Sequence, residues 1–135
     1  MEGSSRAVKL RPKLAPMAKK VMVLEDQADL SELIQELLSF EGYEVLRPKT
    51  FENLIEDLRT SRPDAVLMDV NLNGVNGLDL LSKLRTDEKL KDTYVVLSSG
   101  SDLRRESLQR GANDFLMKPY MPDELVKLLN QKIRE

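Results

Sequence analysis

Glu25 and Asp26, Asp69, Ser98 and Lys118 each stand at the end of a short apolar run, at 21–24, 65–68, 95–97 and 115–117. Each run reads as a buried strand, which sets the five polar residues at the carboxyl ends of four strands. In an open parallel sheet, that edge is where ligands bind. Three oxygen donors converging there suit a hard divalent cation such as Mg2+, which takes carboxylates, waters and phosphate oxygens. A carboxylate in such a place can also act as a nucleophile on phosphorus and form an aspartyl phosphate. That chemistry depends on positioning and on neutralising charge over the transferring group. The cation and the Lys118 ammonium would share the neutralisation, and the Ser98 hydroxyl would hold a phosphoryl oxygen. Singly, each residue has a commoner role, as a helix-terminal charge, a turn or a surface corner. Their joint occurrence at corresponding strand ends is what gives the set its meaning.

The elements that must position these groups alternate from Lys20 onward. Leu30, Leu33, Ile34, Leu37 and Leu38 make one helical face after the first strand, and Gly42 stops that helix. A second strand is expected at 43–46. Thr50 is expected to cap a second helix with Phe51, Leu54, Ile55 and Leu58 inward and Pro63 beyond its end. A turn-rich stretch, Asn71-Leu72-Asn73-Gly74-Val75-Asn76-Gly77, follows the Asp69 strand. Leu78, Leu80, Leu81 and Leu84 then mark a third helix. Ser101 is expected to cap a fourth helix that ends at Gly111, and Pro122 opens a fifth with Leu125, Leu128, Leu129 and Ile133 inward. Five βα units predict an α/β fold, a doubly wound five-stranded parallel sheet between two helical layers. The fourth helix is the weakest, with Leu103 and Leu108 its bulky apolar residues against Arg104, Arg105 and Arg110. An element with so little to bury is the kind that shifts.

With 135 residues, the chain suits one domain with a sizeable core. Cysteine and histidine are both absent, which excludes disulfides, thiolate sites, zinc-type histidine ligation, a Ser-His-Asp triad and a phosphohistidine carrier. No apolar run approaches a membrane span, and the basic start lacks the apolar stretch of a secretory signal, so a cytoplasmic protein is expected. The net charge of −2 hides an asymmetry. Arg6, Lys9, Arg11, Lys13, Lys19 and Lys20 oppose Glu2 alone in the first 20 residues, whereas the remainder holds 15 basic and 22 acidic residues. Residues 1–19 therefore read as a flexible basic extension and 20–135 as the folded domain. That domain is net acidic and lacks a recognition motif, so direct nucleic-acid binding by it is not expected.

Across residues 20–133, the chain resembles the receiver domains of two-component response regulators, the CheY-like superfamily. The resemblance is carried by Val21-Met22-Val23-Leu24-Glu25-Asp26, Ala65-Val66-Leu67-Met68-Asp69, the 71–77 stretch, Val95-Val96-Leu97-Ser98 and Gly111-Ala112-Asn113-Asp114-Phe115-Leu116-Met117-Lys118-Pro119. It implies a flavodoxin-like (βα)5 sandwich with strand order 2-1-3-4-5. It also implies Asp69 as phosphoacceptor. Asp26 would ligate Mg2+ (or Mn2+) directly, Glu25 partly through water, and Asp69 and the Asn71 carbonyl would complete the shell. The backbone amides of Asn71 and Ser99 would join Ser98 and Lys118 on the phosphoryl oxygens. Ser98 and Phe115 match the switch positions, with the ring turning inward as Ser98 moves to the phosphoryl group.

Such a protein would take its phosphoryl group from a histidine kinase or histidine phosphotransfer protein. It would catalyse that transfer on itself, without turning over a separate substrate. A downstream protein, or a second copy, would dock on the face of the fourth helix, fifth strand and fifth helix. The alternative is a pseudo-receiver that binds partners without phosphorylation. A phosphatase with an aspartate nucleophile would want a second acid soon after Asp69, where Asn71 stands. The family often has proline at the Asn73 position, which implies a looser loop here; Ser98 replaces the commoner threonine, Ser99 a frequent alanine, and Phe115 a tyrosine. The chain's end at Glu135 fits a stand-alone receiver acting by docking and equally a piece of a longer regulator.

Overall fold

The computed structural model describes residues 18–133; residues 1–17 of the basic extension lie outside the described residues. The chain runs β1 (Lys20–Leu24), α1 (Ala28–Phe40), β2 (Glu44–Leu46), α2 (Leu54–Ser61), β3 (Ala65–Asp69), β4 (Asn71–Leu72), β5 (Val75–Asn76), α3 (Gly77–Thr86), β6 (Tyr94–Ser99), α4 (Arg104–Gln109), β7 (Asp114–Met117) and α5 (Pro122–Lys132). One parallel five-stranded sheet has the order β2-β1-β3-β6-β7. This is the expected 2-1-3-4-5 order once the small antiparallel pair β4-β5, which stands outside the sheet, is set aside.

Side-chain alternation along the strands divides the core. Met22, Leu24, Val66, Met68, Val95 and Leu97 face one way and pack with Leu54, Leu58, Leu81, Leu84 and Phe115. Val21, Val23, Ala65, Leu67 and Val96 face the other way and pack with Ile34, Leu38, Leu125 and Leu129. Helices α2 to α4 thus cover one face of the sheet, and α1 and α5 the other. The middle strand β3 is buried along its whole length, which is why its sequence reads as continuously apolar up to Asp69.

Several local expectations are corrected. Thr50 does not cap α2; the helix starts at Leu54 after Asn53, whose backbone is non-helical and whose side chain makes no capping bond. Phe51 packs against the core from a bend, so its ring is sheltered without any helical hydrogen bond. Ser101 likewise does not cap α4, which starts at Arg104 after Leu103; the Ser101 N–H instead donates to Ser99 Oγ at 3.1 Å. Leu33, counted on the inner face of α1, is 44% exposed, because Ile34 and Leu38 already fill the contact with the sheet. Tyr43 is buried just ahead of β2, and its hydroxyl donates to Asn130 Oδ1 at 2.6 Å. The loop after Asp69 is an ordered hairpin rather than a slack turn. Asn73 and Gly74 both have positive φ, 45° and 95°, as the tight turn between antiparallel strands requires. Proline could not adopt that backbone at position 73, so its absence there goes with the hairpin rather than with a looser loop.

Candidate functional site

Strand register brings the site together. Asp69 and Ser98 are direct neighbours on β3 and β6, and Leu24, the residue before Glu25, lies beside Met68. Met117 pairs with Ser99, and the Lys118 N–H donates to the Ser99 carbonyl at 2.8 Å, which aims Lys118 across the strand ends. Gly77 allows the hairpin and α3 to close over this edge. Its N–H donates to the Val70 carbonyl at 2.6 Å, and a Cβ there would lie 2.6 Å from the Asp69 carbonyl oxygen. Asn76 caps α3, accepting from the Leu78 and Asp79 N–H groups.

The Lys118 ammonium sits between two acids, 2.8 Å from Asp69 Oδ2 and 2.9 Å from Glu25 Oε1. Glu25 and Asp69 are buried and Asp26 is exposed at the rim. Burial pushes the Glu25 carboxyl above its usual range, with hydrogen bonds from Lys118 and the Gln27 N–H pulling the other way. Burial also works against the Lys118 ammonium, but its hydrogen bonds to Asp69 and Glu25 and their charges outweigh it and hold the amine above its ordinary value. The Asn71 N–H donates to Asp69 Oδ1 at 3.1 Å. The Ser98 hydroxyl is buried with no hydrogen-bond partner, the state expected of a donor whose acceptor arrives with a ligand.

Carboxylate oxygens of Glu25, Asp26 and Asp69 lie within 4.8 Å of one another. An all-oxygen set with an exposed side fits Mg2+, which binds few carboxylates and keeps several waters. Beside it, an open cleft of about 630 Å³ runs from Glu25 and Asp26 to Arg47 and Lys49 after β2.

The structure therefore gathers Glu25, Asp26, Asp69, Asn71, Ser98 and Lys118 at one edge, and Ser99 borders them. Phe115 lies on the same strand as Lys118, but its ring is already buried, with the Arg104 guanidinium 5.6 Å from the ring centroid. The expected inward turn is thus already made in this structure, because the ring fills the core beneath α4. Sequence reasoning missed Gln27, whose N–H donates to Glu25 Oε2 at 3.1 Å, and Tyr120, whose buried hydroxyl has no partner. Only their closeness in sequence to Glu25 and Lys118 hinted at either.

Fold and site define a doubly wound α/β domain with an acidic pocket and a lysine over the carboxyl ends of its strands. The chain belongs to the response regulator receiver domain family, whose model matches residues 21–130. It is 32% identical over 120 residues to the DNA-binding response regulator MtrA of Mycolicibacterium paratuberculosis, an alignment that covers 87% of this chain and 52% of that protein. The chain thus spans about half the length of the curated relatives it matches. Among solved structures, it resembles the beryllofluoride-activated receiver domain of Klebsiella pneumoniae RstA (28% identity, TM-score 0.77, covering 87% of this chain and 100% of that one). It also resembles the receiver domain of the Pseudomonas aeruginosa sensor histidine kinase PA1611, which holds a magnesium ion in its active-site cleft (26% identity, TM-score 0.77, covering 87% and 99%). No helix among the described residues is long and apolar enough to cross a membrane.

Proposed function

We propose that this chain is a phosphoacceptor switch, phosphorylated on Asp69 in a Mg2+-dependent reaction, with residues 20–135 as the working unit and 1–19 as an extension. The observation that carries the reading is the Lys118 ammonium held 2.8 Å from Asp69 Oδ2, in a pocket where Glu25 and Asp26 crowd the same carboxylate. Asp26 and Asp69 would hold the cation directly, Glu25 partly through water, with the Asn71 carbonyl beside them. When bound, the cation supplies neutralising charge for the transferring phosphoryl group.

The chain's own residues do the rest. An Asp69 carboxylate oxygen attacks phosphorus and forms the new P–O bond. The bond from phosphorus to the donor breaks, and its electron pair leaves with the donor's imidazole nitrogen. Lys118, Ser98 and the amides of Asn71 and Ser99 bind the phosphoryl oxygens and hold the group in line. The donor is a histidine kinase or histidine phosphotransfer protein of the same signalling system, and the readout is a downstream protein or second copy on the α4–β7–α5 face. Because Phe115 is already inward, phosphorylation in this reading fixes an arrangement the fold samples, rather than creating one. The setting expected for the chain is the cytoplasm.

Intact mass after incubation with an acyl phosphate and Mg2+ tests the reading. The expected result is a phosphoryl adduct on the wild type that needs the cation and is lost in Asp69→Ala. A folded wild type that forms no adduct and binds no beryllofluoride would instead fit the pseudo-receiver.

A further inference from the structure

Helix α1 carries apolar residues on its outer side. Leu33 is 44% exposed and Phe40 77%, and Leu37 between them is only half-buried. The three fall at i, i+4 and i+7, one stripe along a helix. Apolar residues scattered singly over a surface need no partner, but a stripe at helical spacing is a surface that another segment can cover. Charge narrows the choice of segment. α1 contains Asp29, Glu32 and Glu36 and no basic residue, whereas each of the other four helices among the described residues has at least one Lys or Arg. None of the ion pairs among the described residues uses these three acids. Arg47 reaches Ser31 Oγ at 3.1 Å near the amino end of the helix, so the acidic stretch runs from Glu32 onward. A basic segment with apolar residues between its charges fits that surface. The same segment would be repelled by α4, which opens with Arg104 and Arg105.

The chain supplies such a segment, and the fold receives it at the right place. Arg6, Lys9, Arg11 and Lys13 are interleaved with Val8, Leu10 and Leu14 ahead of β1. β1 begins beside the carboxyl end of α1. The Lys19 carbonyl accepts from the Glu44 N–H at 2.9 Å, and the neighbouring Tyr43 N–H donates to the Leu38 carbonyl at 3.0 Å. The basic segment therefore joins the domain at the Phe40 end of the stripe. Residues 14–18 separate Lys13 from Lys19, a tether that extends to about 20 Å. Glu36 and Glu32 lie about 6 and 12 Å back from Phe40 along the helix, so Lys13 and Arg11 can reach both acids. Pro12 and Pro16 suit an extended run of that kind.

We propose that residues 6–17 dock in cis along the outer side of α1, with their basic groups on Glu32 and Glu36 and their apolar groups over Leu33, Leu37 and Phe40. α1 starts directly after Gln27, beside the acidic pocket, so the docked segment lays positive charge along that flank of the site. A partner that uses this helix must first displace it. The proposal stands whether or not Asp69 takes a phosphoryl group.

The chain has no cysteine, so Ser5→Cys gives a single anchor for a nitroxide in the full-length protein. Amide signals of residues 32–40 should broaden, while those of α3, on the opposite face of the sheet, stay sharp. Lys9→Glu, Arg11→Glu and Lys13→Glu together should abolish that contrast. Adding Glu32→Lys and Glu36→Lys, both at exposed positions, should bring it back. Raising NaCl to about 1 M should weaken it in the wild type. Isotope-labelled wild type mixed with unlabelled, nitroxide-bearing chain should show no broadening of α1; broadening there would overturn docking in cis in favour of a second copy. Equal signals from α1 and α3 would overturn the proposal, and retention on phosphatidylserine vesicles would then assign the segment to an anionic lipid surface. A contrast that the double reversal fails to restore would overturn the pairing with Glu32 and Glu36.

Discussion

Helices α3 and α4 are consecutive, lie in the same layer, and are built in opposite ways. Over 10 residues, α3 buries Gly77, Leu78, Leu80, Leu81 and Leu84, and the Asn76 side chain caps its start. Over 6 residues, α4 buries Ser107 alone, and its start has no side-chain cap. Arg85, near the end of α3, reaches the segment just beyond α4. Its guanidinium donates to the carbonyls of Gly111, Lys91 and Thr93 and to Asn113 Oδ1, all between 2.7 and 2.9 Å. Gly111, with φ of 112°, leaves room for that side chain, because a Cβ there would come within 3.2 Å of Arg85. So α4 is pinned at its carboxyl end to a rigid neighbour and is held at its amino end mainly by the partly buried Leu103 and by Arg104 over Phe115. The amino end is also the end nearest Ser98. In the phosphoacceptor reading this division suits a switch: α3 would keep the floor of the site fixed while α4 moved against it.

The largest expected contrast is in native-state amide exchange. Amides in the middle of α3 should exchange only on global unfolding, and those of α4 by local opening that costs about 3 kcal/mol less or better. Phosphorylation of Asp69 should then change protection most in residues 98–120. Equal protection of the two helices before phosphorylation would erase the distinction.

Side-chain truncation should show the same asymmetry more modestly. Leu81→Ala, at a fully buried position, should cost about 2–5 kcal/mol in denaturant unfolding, whereas Leu108→Ala, at a position 42% exposed, should stay within about 0.5 kcal/mol. A further small effect sharpens the point at the Phe115 ring. Arg104→Ala should cost about 0.5–1 kcal/mol by removing the cation from the Phe115 ring, and should raise exchange at the amino end of α4 without touching α3. A loss of several kcal/mol from Arg104→Ala would mean that α4 is better anchored than its contacts suggest.

Much of this was legible in the chain itself. The strand positions, the layer order and the assembly of Glu25, Asp26, Asp69, Ser98 and Lys118 at one edge follow from apolar runs that end in polar residues, a pattern written locally. The thinness of α4 could also be read from Leu103 and Leu108 alone. The misread helix starts at Thr50 and Ser101 have a common cause. A hydroxyl residue before an apolar run can cap a helix, but whether it does depends on where the core holds the next ring or leucine.

The sequence by itself determined the kind of fold and the set of groups at its carboxyl edge, because hydrophobic period and strand ends are properties of neighbouring residues. The tertiary structure alone decided how those groups share their bonds. Lys118 reaches Glu25 across 93 residues of sequence and Asp69 across 49, and it serves both at once. The inward ring of Phe115, the unbonded hydroxyls of Ser98 and Tyr120, and the four bonds of Arg85 are likewise settled only when distant segments pack. Burial removes water as the alternative partner, so each polar group is left with whatever the fold brings within reach.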